Sequence, residues 1–218
     1  MINIARFVVG PLQENCYVIS DDTLEAVIID DGAFYDQEND QILQYIDSHH
    51  LVPVRLLATH AHFDHIIGTL AIHDRYGLNL DFSADDSKLY HAFEGQTEAF
   101  LNIRPPHPLA PQGVALKHND SVTFGKHTID VIATPGHSPG GLCFYLKDEQ
   151  TLLSGDSLFR YSIGRTDFPD GNGEALLSSL RTRIMTLPDD VKVLPGHGSP
   201  TTIGDEKAGN PYITASPF

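Results

Sequence analysis

The sequence predicts a mixed α/β fold whose chemistry sits at strand ends. Three observations lead there. Short apolar runs rich in β-branched and aromatic residues alternate with segments of helical period along the 218 residues. Glycine, proline and aspartate punctuate those runs where the chain has to turn. Histidine and aspartate, the residues of strongest chemical character, gather directly behind the strand runs.

The opening reads INIARFVV, Gly10-Pro11, NCYVIS, Asp21-Asp22 and EAVIID, closing on Asp31-Gly32. Strand runs separated by turn pairs predict a meander of three antiparallel strands. From Asp36, the residues Ile42, Leu43 and Ile46 mark one side of a helix that ends near His50, ahead of Pro53. VRLLAT then supplies a strand, and IIGTLAIHDRYG a helix stopped by Gly77. Residues 90 to 113 carry Pro105, Pro106, Pro108 and Pro111 without a sustained period, which predicts a long surface loop and a candidate lid. SVTF, HTIDVIAT, LCFYL and TLLSGD predict four strands, EALLSSLRTRIMTL a helix, and VKVL a last strand. At 41% hydrophobic residues the chain can bury a substantial core, and residues 1–218 are expected to form one domain. Cys16 and Cys143 lie inside apolar strand runs, the usual setting of a buried structural thiol.

Charge narrows the partners. Lys+Arg 14 against Asp+Glu 29 leaves a formal charge of −15, which repels phosphate backbones and anionic lipid, so neither nucleic acid nor membrane is expected as a partner. The start, MINIARFVVG, lacks the basic and apolar regions of a secretion signal, and no apolar run approaches the roughly 20 residues needed to span a bilayer. The expected location is the cytoplasm.

The stretch LLATHAHFDHIIG, residues 56 to 68, sets His60, His62, Asp64 and His65 into the turn between a strand and a helix. TPGHSPGG places His137 behind the strand IDVIAT, LLSGDSL places Asp156 behind TLLS, and VLPGHGSP places His197 behind VKVL. Loops at strand ends converge when their strands share a sheet. Five imidazoles and two carboxylates suit divalent zinc, manganese or iron. A catalytic zinc keeps three protein ligands plus water, so seven ligands fit two ions sharing one carboxylate, with Asp156 as the natural bridge. His49, His50, His73, His91, His107, His118 and His127 lack such a setting and need only surface or helix-end roles. A hydroxide made at the metals leaves no need for a serine nucleophile.

T-H-A-H-F-D-H at 59 to 65, G-H at 136 and 137, G-D at 155 and 156, and G-H at 196 and 197 resemble the metallo-β-lactamase superfamily in order and spacing. The resemblance implies a four-layer αββα sandwich, two mixed sheets between outer helices, with a dinuclear site on one edge. GPLQENCYVI, LFRYSIGRTDFPDGN and TTIGDEKAGNPYI are similar to the short bacterial glyoxalase II-like hydrolases. Carried over by position, His60, His62 and His137 would hold one ion and Asp64, His65 and His197 the other, with Asp156 between them. Zinc is the first expectation, with iron or manganese as alternatives.

The activity so implied is hydrolysis of a small-molecule thioester such as S-lactoylglutathione by a metal-activated hydroxide. Asp64 and Asp156 would be the catalytic carboxylates, Asp64 orienting the attacking group. Fuller glyoxalase II enzymes carry a further C-terminal helical region that grips glutathione; no such separate domain is expected after His197. Arg165 is a candidate fork for a substrate carboxylate, its alternative being a loop-stiffening pair with Asp167 or Asp170. Phe159 and Tyr161 are candidate pocket walls. The chain also resembles the superfamily's persulfide dioxygenases in its GRTDF segment, which would imply one iron on His60, His137 and Asp156.

Overall fold

The central strands bury both faces, and their alternating apolar residues feed two different cores. The structure is a computed structural model and describes residues 2–214. The antiparallel meander expected from the sequence is present as β1 (Asn3–Val9), β2 (Glu14–Ser20) and β3 (Glu25–Ile29). Helix α1 (Asp36–Ser48) then crosses to β4 (Val52–Leu57), which lies parallel to β3. After α2 (Phe63–Ile66) and α3 (Thr69–Tyr76) come β5 (Leu80–Phe82), α4 (Ser87–His91), α5 (Phe93–Leu101) and β6 (Gln112–Ala115). These strands form a six-stranded sheet in the order β1-β2-β3-β4-β5-β6.

The second half builds β7 (Ser121–Phe124), β8 (His127–Ala133), β9 (Leu142–Leu146) and β10 (Thr151–Gly155). A small hairpin follows, β11 (Leu158–Phe159) with β12 (Ser162–Ile163). Helix α6 (Gly173–Ser179) runs into a π-helical turn, Leu180–Ile184, before β13 (Lys192–Pro195), β14 (Thr201–Thr202), α7 (Ile203–Gly209) and α8 (Pro211–Thr214). The second sheet runs β14-β13-β10-β9-β8-β7, with β10 and β13 parallel and its other pairs antiparallel.

Alternation along single strands reveals the layers. In β2, Tyr17 and Ile19 face the second sheet, where they meet Phe124, Phe144 and Leu153; Cys16 and Val18 face outward against Ile42, Ile46 and Ile66 of the helices. In β9, Phe144 and Leu146 point inward, while Cys143 and Tyr145 point to Leu176, Leu180 and Ile203. Helix, sheet, sheet and helix thus stack as an αββα sandwich. Both cysteines are free and fully buried in the two outer cores, and burial pushes the Cys143 thiol up to about 11. Both are packing residues.

One expectation needs correcting. Residues 90 to 113 are not a single long loop, because α5 occupies 93 to 101. Phe93 and Thr97, four residues apart, are buried, and Leu101 continues that face against the outer core. Asn102 ends the helix in the left-handed conformation, and the prolines begin only after it. Among the described residues no helix is long and apolar enough to cross a membrane.

Candidate metal centre

Four loops meet at one rim of the sandwich, one after β4 of the first sheet and three after β8, β10 and β13 of the second. Each is placed by the backbone of its own strand. Gly136 precedes His137 with φ 141, and Gly155 precedes Asp156 with φ 48, conformations that L side chains rarely adopt. A Cβ at Gly155 would also run into Thr59, so the β10 loop can approach the His60 loop only through a glycine.

Hydrogen bonds turn the rings inward. His137 donates from Nδ1 to the Arg165 carbonyl at 2.8 Å, and His197 from Nδ1 to the Leu12 carbonyl at 3.1 Å. A carbonyl only accepts, so both rings donate through Nδ1, which leaves Nε2 as the nitrogen turned to the centre. Asp30, at the end of β3, accepts from Thr59 N at 2.6 Å, Thr59 Oγ1 at 2.7 Å and His65 Nδ1 at 3.0 Å. Thr59 Oγ1 has then spent its hydrogen and accepts from His60 Nδ1 at 3.1 Å. One buried carboxylate therefore orients two histidines. His62 faces His137 through its Nδ1, 3.0 Å from His137 Nε2.

All seven residues expected at the site converge. Ligand atoms of His60, His62 and His137 lie within 4.8 Å of one another, as do those of Asp64, His65 and His197. Asp156 faces both groups, with Oδ1 at 3.4 Å from His65 Nε2 and Oδ2 at 3.6 Å from Nε2 of both His137 and His197. Asp64 Oδ2 stands 3.3 Å from His197 Nε2. Charges follow the geometry. Burial opposes ionisation of Asp156, but His65, His197 and His137 outweigh it and hold its carboxyl well below the usual range. Burial, reinforced by His137, brings His62 down to about 4, so that ring is neutral and ligand-competent at physiological pH.

The residues present fit a metal pair. His60 Nε2, His65 Nε2 and Asp156 Oδ1 are fully buried, aim into the cluster and make no hydrogen bond. Uncompensated buried donors and acceptors are rare because each costs desolvation energy, and a pair of cations would satisfy all three.

Two further carboxylates support the loops and were not singled out from the sequence. Asp86 accepts from Ala61 N, Ser138 Oγ and Gly140 N, which ties the His60–His62 turn to the His137 loop. Glu14, 1% exposed, puts Oε1 at 3.8 Å from His65 Nδ1, and neither of its carboxylate oxygens has a hydrogen-bond partner. Burial pushes its carboxyl well above the ordinary range. A glutamate directly before the run NCYVIS was the visible signal.

The cluster opens into a cavity of about 460 Å³ walled by Leu12, Phe63, Phe100, Phe159, Ile163 and Phe168. Phe159 is therefore at the wall where it was expected, whereas Tyr161 packs against Gly209 and does not line the cavity. Arg165 reaches the rim, but its Nε and Nη2 bond Asp167 at 2.7 and 2.8 Å and its guanidinium lies 4.3 Å from the Phe168 ring centre.

A sequence profile described as the Metallo-beta-lactamase superfamily matches residues 9–197. The chain belongs to that superfamily. A Haemophilus influenzae relative named hydroxyacylglutathione hydrolase GloC is 33% identical over 98% of this chain and 99% of its own length. Among solved structures, the BLEG-1 B3 metallo-beta-lactamase is 36% identical with a TM-score of 0.87, covering 99% of this chain and 100% of that one. TTHA1623, solved in a di-iron-bound form, is 35% identical with a TM-score of 0.84 over 95% of this chain and 99% of that one. Metallo-β-lactamase membership and the hydrolase relative support an enzyme, and the fold implies a dinuclear site built from histidine and aspartate.

Proposed function

We propose that the protein is a thioester hydrolase of the glyoxalase II type, acting on a substrate such as S-lactoylglutathione with two divalent ions, zinc foremost. The observation that carries this is the pairing of two three-ligand groups across Asp156, whose carboxylate lies within 3.6 Å of rings from both groups. His60, His62 and His137 would hold one ion, Asp64, His65 and His197 the other, and Asp156 both. When bound, such ions supply a water acidified to about neutral pKa and polarise a carbonyl. Thioester hydrolysis breaks the C–S bond, forms a C–O bond and passes the water's proton to the sulfur. A thiol is acidic enough to leave without a strong protein acid.

The chain's own residues then position and exclude. Asp64, 3.3 Å from His197 and on the cavity wall, is placed to orient the attacking group as a hydrogen-bond acceptor. Phe63, Phe100, Phe159 and Phe168 line the approach and keep bulk water from the reacting carbonyl. The name of the Haemophilus influenzae relative supports the substrate class, and the di-iron form of TTHA1623 keeps iron as the alternative ion.

The test is a panel of thioesters, S-lactoylglutathione included, offered to protein loaded with zinc or iron, with thiol release and metal content measured together. Thiol release that saturates at two ions per chain is expected. Inertness toward the whole panel overturns the proposal, and oxygen uptake on a persulfide at one iron per chain would replace it with the dioxygenase reading.

A further inference from the structure

Beside Phe100 and Phe168 lies a second, solvent-open cleft of about 360 Å³, which shares His62, Gln96, Phe100, His137 and Phe168 with the first and has the exposed Ala92, Gly95, Ala99 and Pro169 on its outer side. The two compartments thus meet at the metal-facing histidines. The far walls of the second are Leu89, Ala92, Ala99, Pro139 and Pro169.

Its polar wall groups are all engaged. Gln96 donates to the Leu89 and Ala61 carbonyls and accepts from Phe63 N. Ser138 donates to Asp86, and Asp170 is held by Lys88 at 2.8 and 2.9 Å. His137 spends Nδ1 on Arg165. Most of the lining is hydrocarbon, and the donors of Gln96 and Ser138 already have acceptors, so the cleft favours an apolar chain.

Gly95 supports the same reading. It sits inside α5 and lines this cavity, where helix propensity argues for almost any other residue. A Cβ built there meets nothing within 4 Å, so the protein's own packing does not require glycine. What glycine preserves is the open volume.

We propose that the second cavity receives the hydrocarbon chain of the acyl group, so the preferred substrate is a thioester of a medium-length, uncharged acid. This rests on the thioester reading above. The acyl arm is assigned here by the apolar lining, and the thiol arm falls to the first cavity, whose wall adds Ser162 to the polar groups of the cluster.

The experiment uses the zinc-loaded full chain with acetyl, butyryl, hexanoyl and octanoyl thioesters of one small thiol, and a matched series varying the thiol on a fixed acyl group. kcat/KM is expected to rise up to about fourfold for each methylene buried, in the acyl series only. Gly95→Leu should collapse the octanoyl-to-acetyl ratio, while Gly95→Ala keeps most of it and raises Tm. Metal content and Tm of each variant report an intact fold. Octanoate binding measured by calorimetry provides a readout independent of turnover and should be lost in Gly95→Leu. A flat acyl series, dependence on the thiol series instead, or a ratio surviving in folded Gly95→Leu overturns the proposal. Octanoate binding that Gly95→Leu abolishes, in a protein inert to every thioester, would leave the cavity assigned and remove the hydrolase reading alone.

Discussion

The two halves of the metal cluster are built from different materials. His60, His62 and His137 form a half of imidazole alone, rings packed edge to face with centroids 4.7 to 4.9 Å apart, and loops braced by Asp86 from outside. Asp64, His65 and His197 form a half with its own carboxylate, and behind His65 stand Asp30 and the unpartnered Glu14. The one coordinating carboxylate besides Asp156 therefore lies on one side only. The difference teaches that two sites of equal ligand number need not be equal in affinity: a divalent cation gains more from the carboxylate-bearing half, where oppositely charged groups sit in low dielectric.

Removing the shared residue should produce the largest effect. Asp156→Ala is expected to abolish retention of both ions and lower thioester hydrolysis by on the order of a thousandfold, read by metal analysis and initial rates. Retention of one tightly held ion would show that the halves are more independent than their geometry implies. Next come the braces. Asp30→Asn should weaken the tighter ion by about 10- to 100-fold in a competitive chelator titration, and Asp86→Asn should act on the weaker ion by a similar factor. An Asp30 variant that loosens only the weaker ion would reverse the ranking of the halves.

Asp31 gives a control for burial without ligation. It is fully buried, its Oδ2 has no partner, and burial lifts its carboxyl to about 7 from an ordinary 3.8. The native chain then holds a proton that the unfolded chain sheds, so stability should fall as pH rises between about pH 4 and pH 7, by on the order of 4 kcal/mol. Asp31→Asn should remove that slope from Tm measured across this range in chelator; an unchanged slope would locate it in other carboxyls. The smallest effect is expected at Arg165. Its partner is the exposed Asp167, so Arg165→Ala should leave Tm and metal content unchanged and shift KM by about twofold or less. A large rise in KM with kcat intact would return the guanidinium to the substrate.

The ligands were legible because four of them fall within six consecutive positions and the other three each follow a strand run and a glycine. Their supports were not. Asp30 looks like an ordinary turn residue closing EAVIID, and its bonds reach 29 and 35 residues along the chain. Asp86 joins partners 25 and 54 residues away, and such tertiary meetings leave no local period. Helix α5 was hidden for a different reason. Its sequence, FEGQTEAFL, contains a glycine and shows a narrow apolar face, and the four prolines that follow it dominated the reading of 90 to 113. Alternation along β2 and β9 was legible as strand, but which face met which layer needed the partner sheet.

The start of β2 reaches across to the opposite sheet. Asn15 N donates to the Gly196 carbonyl at 2.7 Å, Tyr17 Oη and Asn15 Nδ2 donate to the Pro195 carbonyl at 2.8 and 2.9 Å, and Glu14 bridges His197. The loop carrying His197 is thereby sewn to the amino-terminal strand. Ions gripped at this seam would rivet the two sheets together, so stripping them should let both sides of the sandwich breathe at once, with amide exchange quickening in residues 12–16 and 195–198 in step.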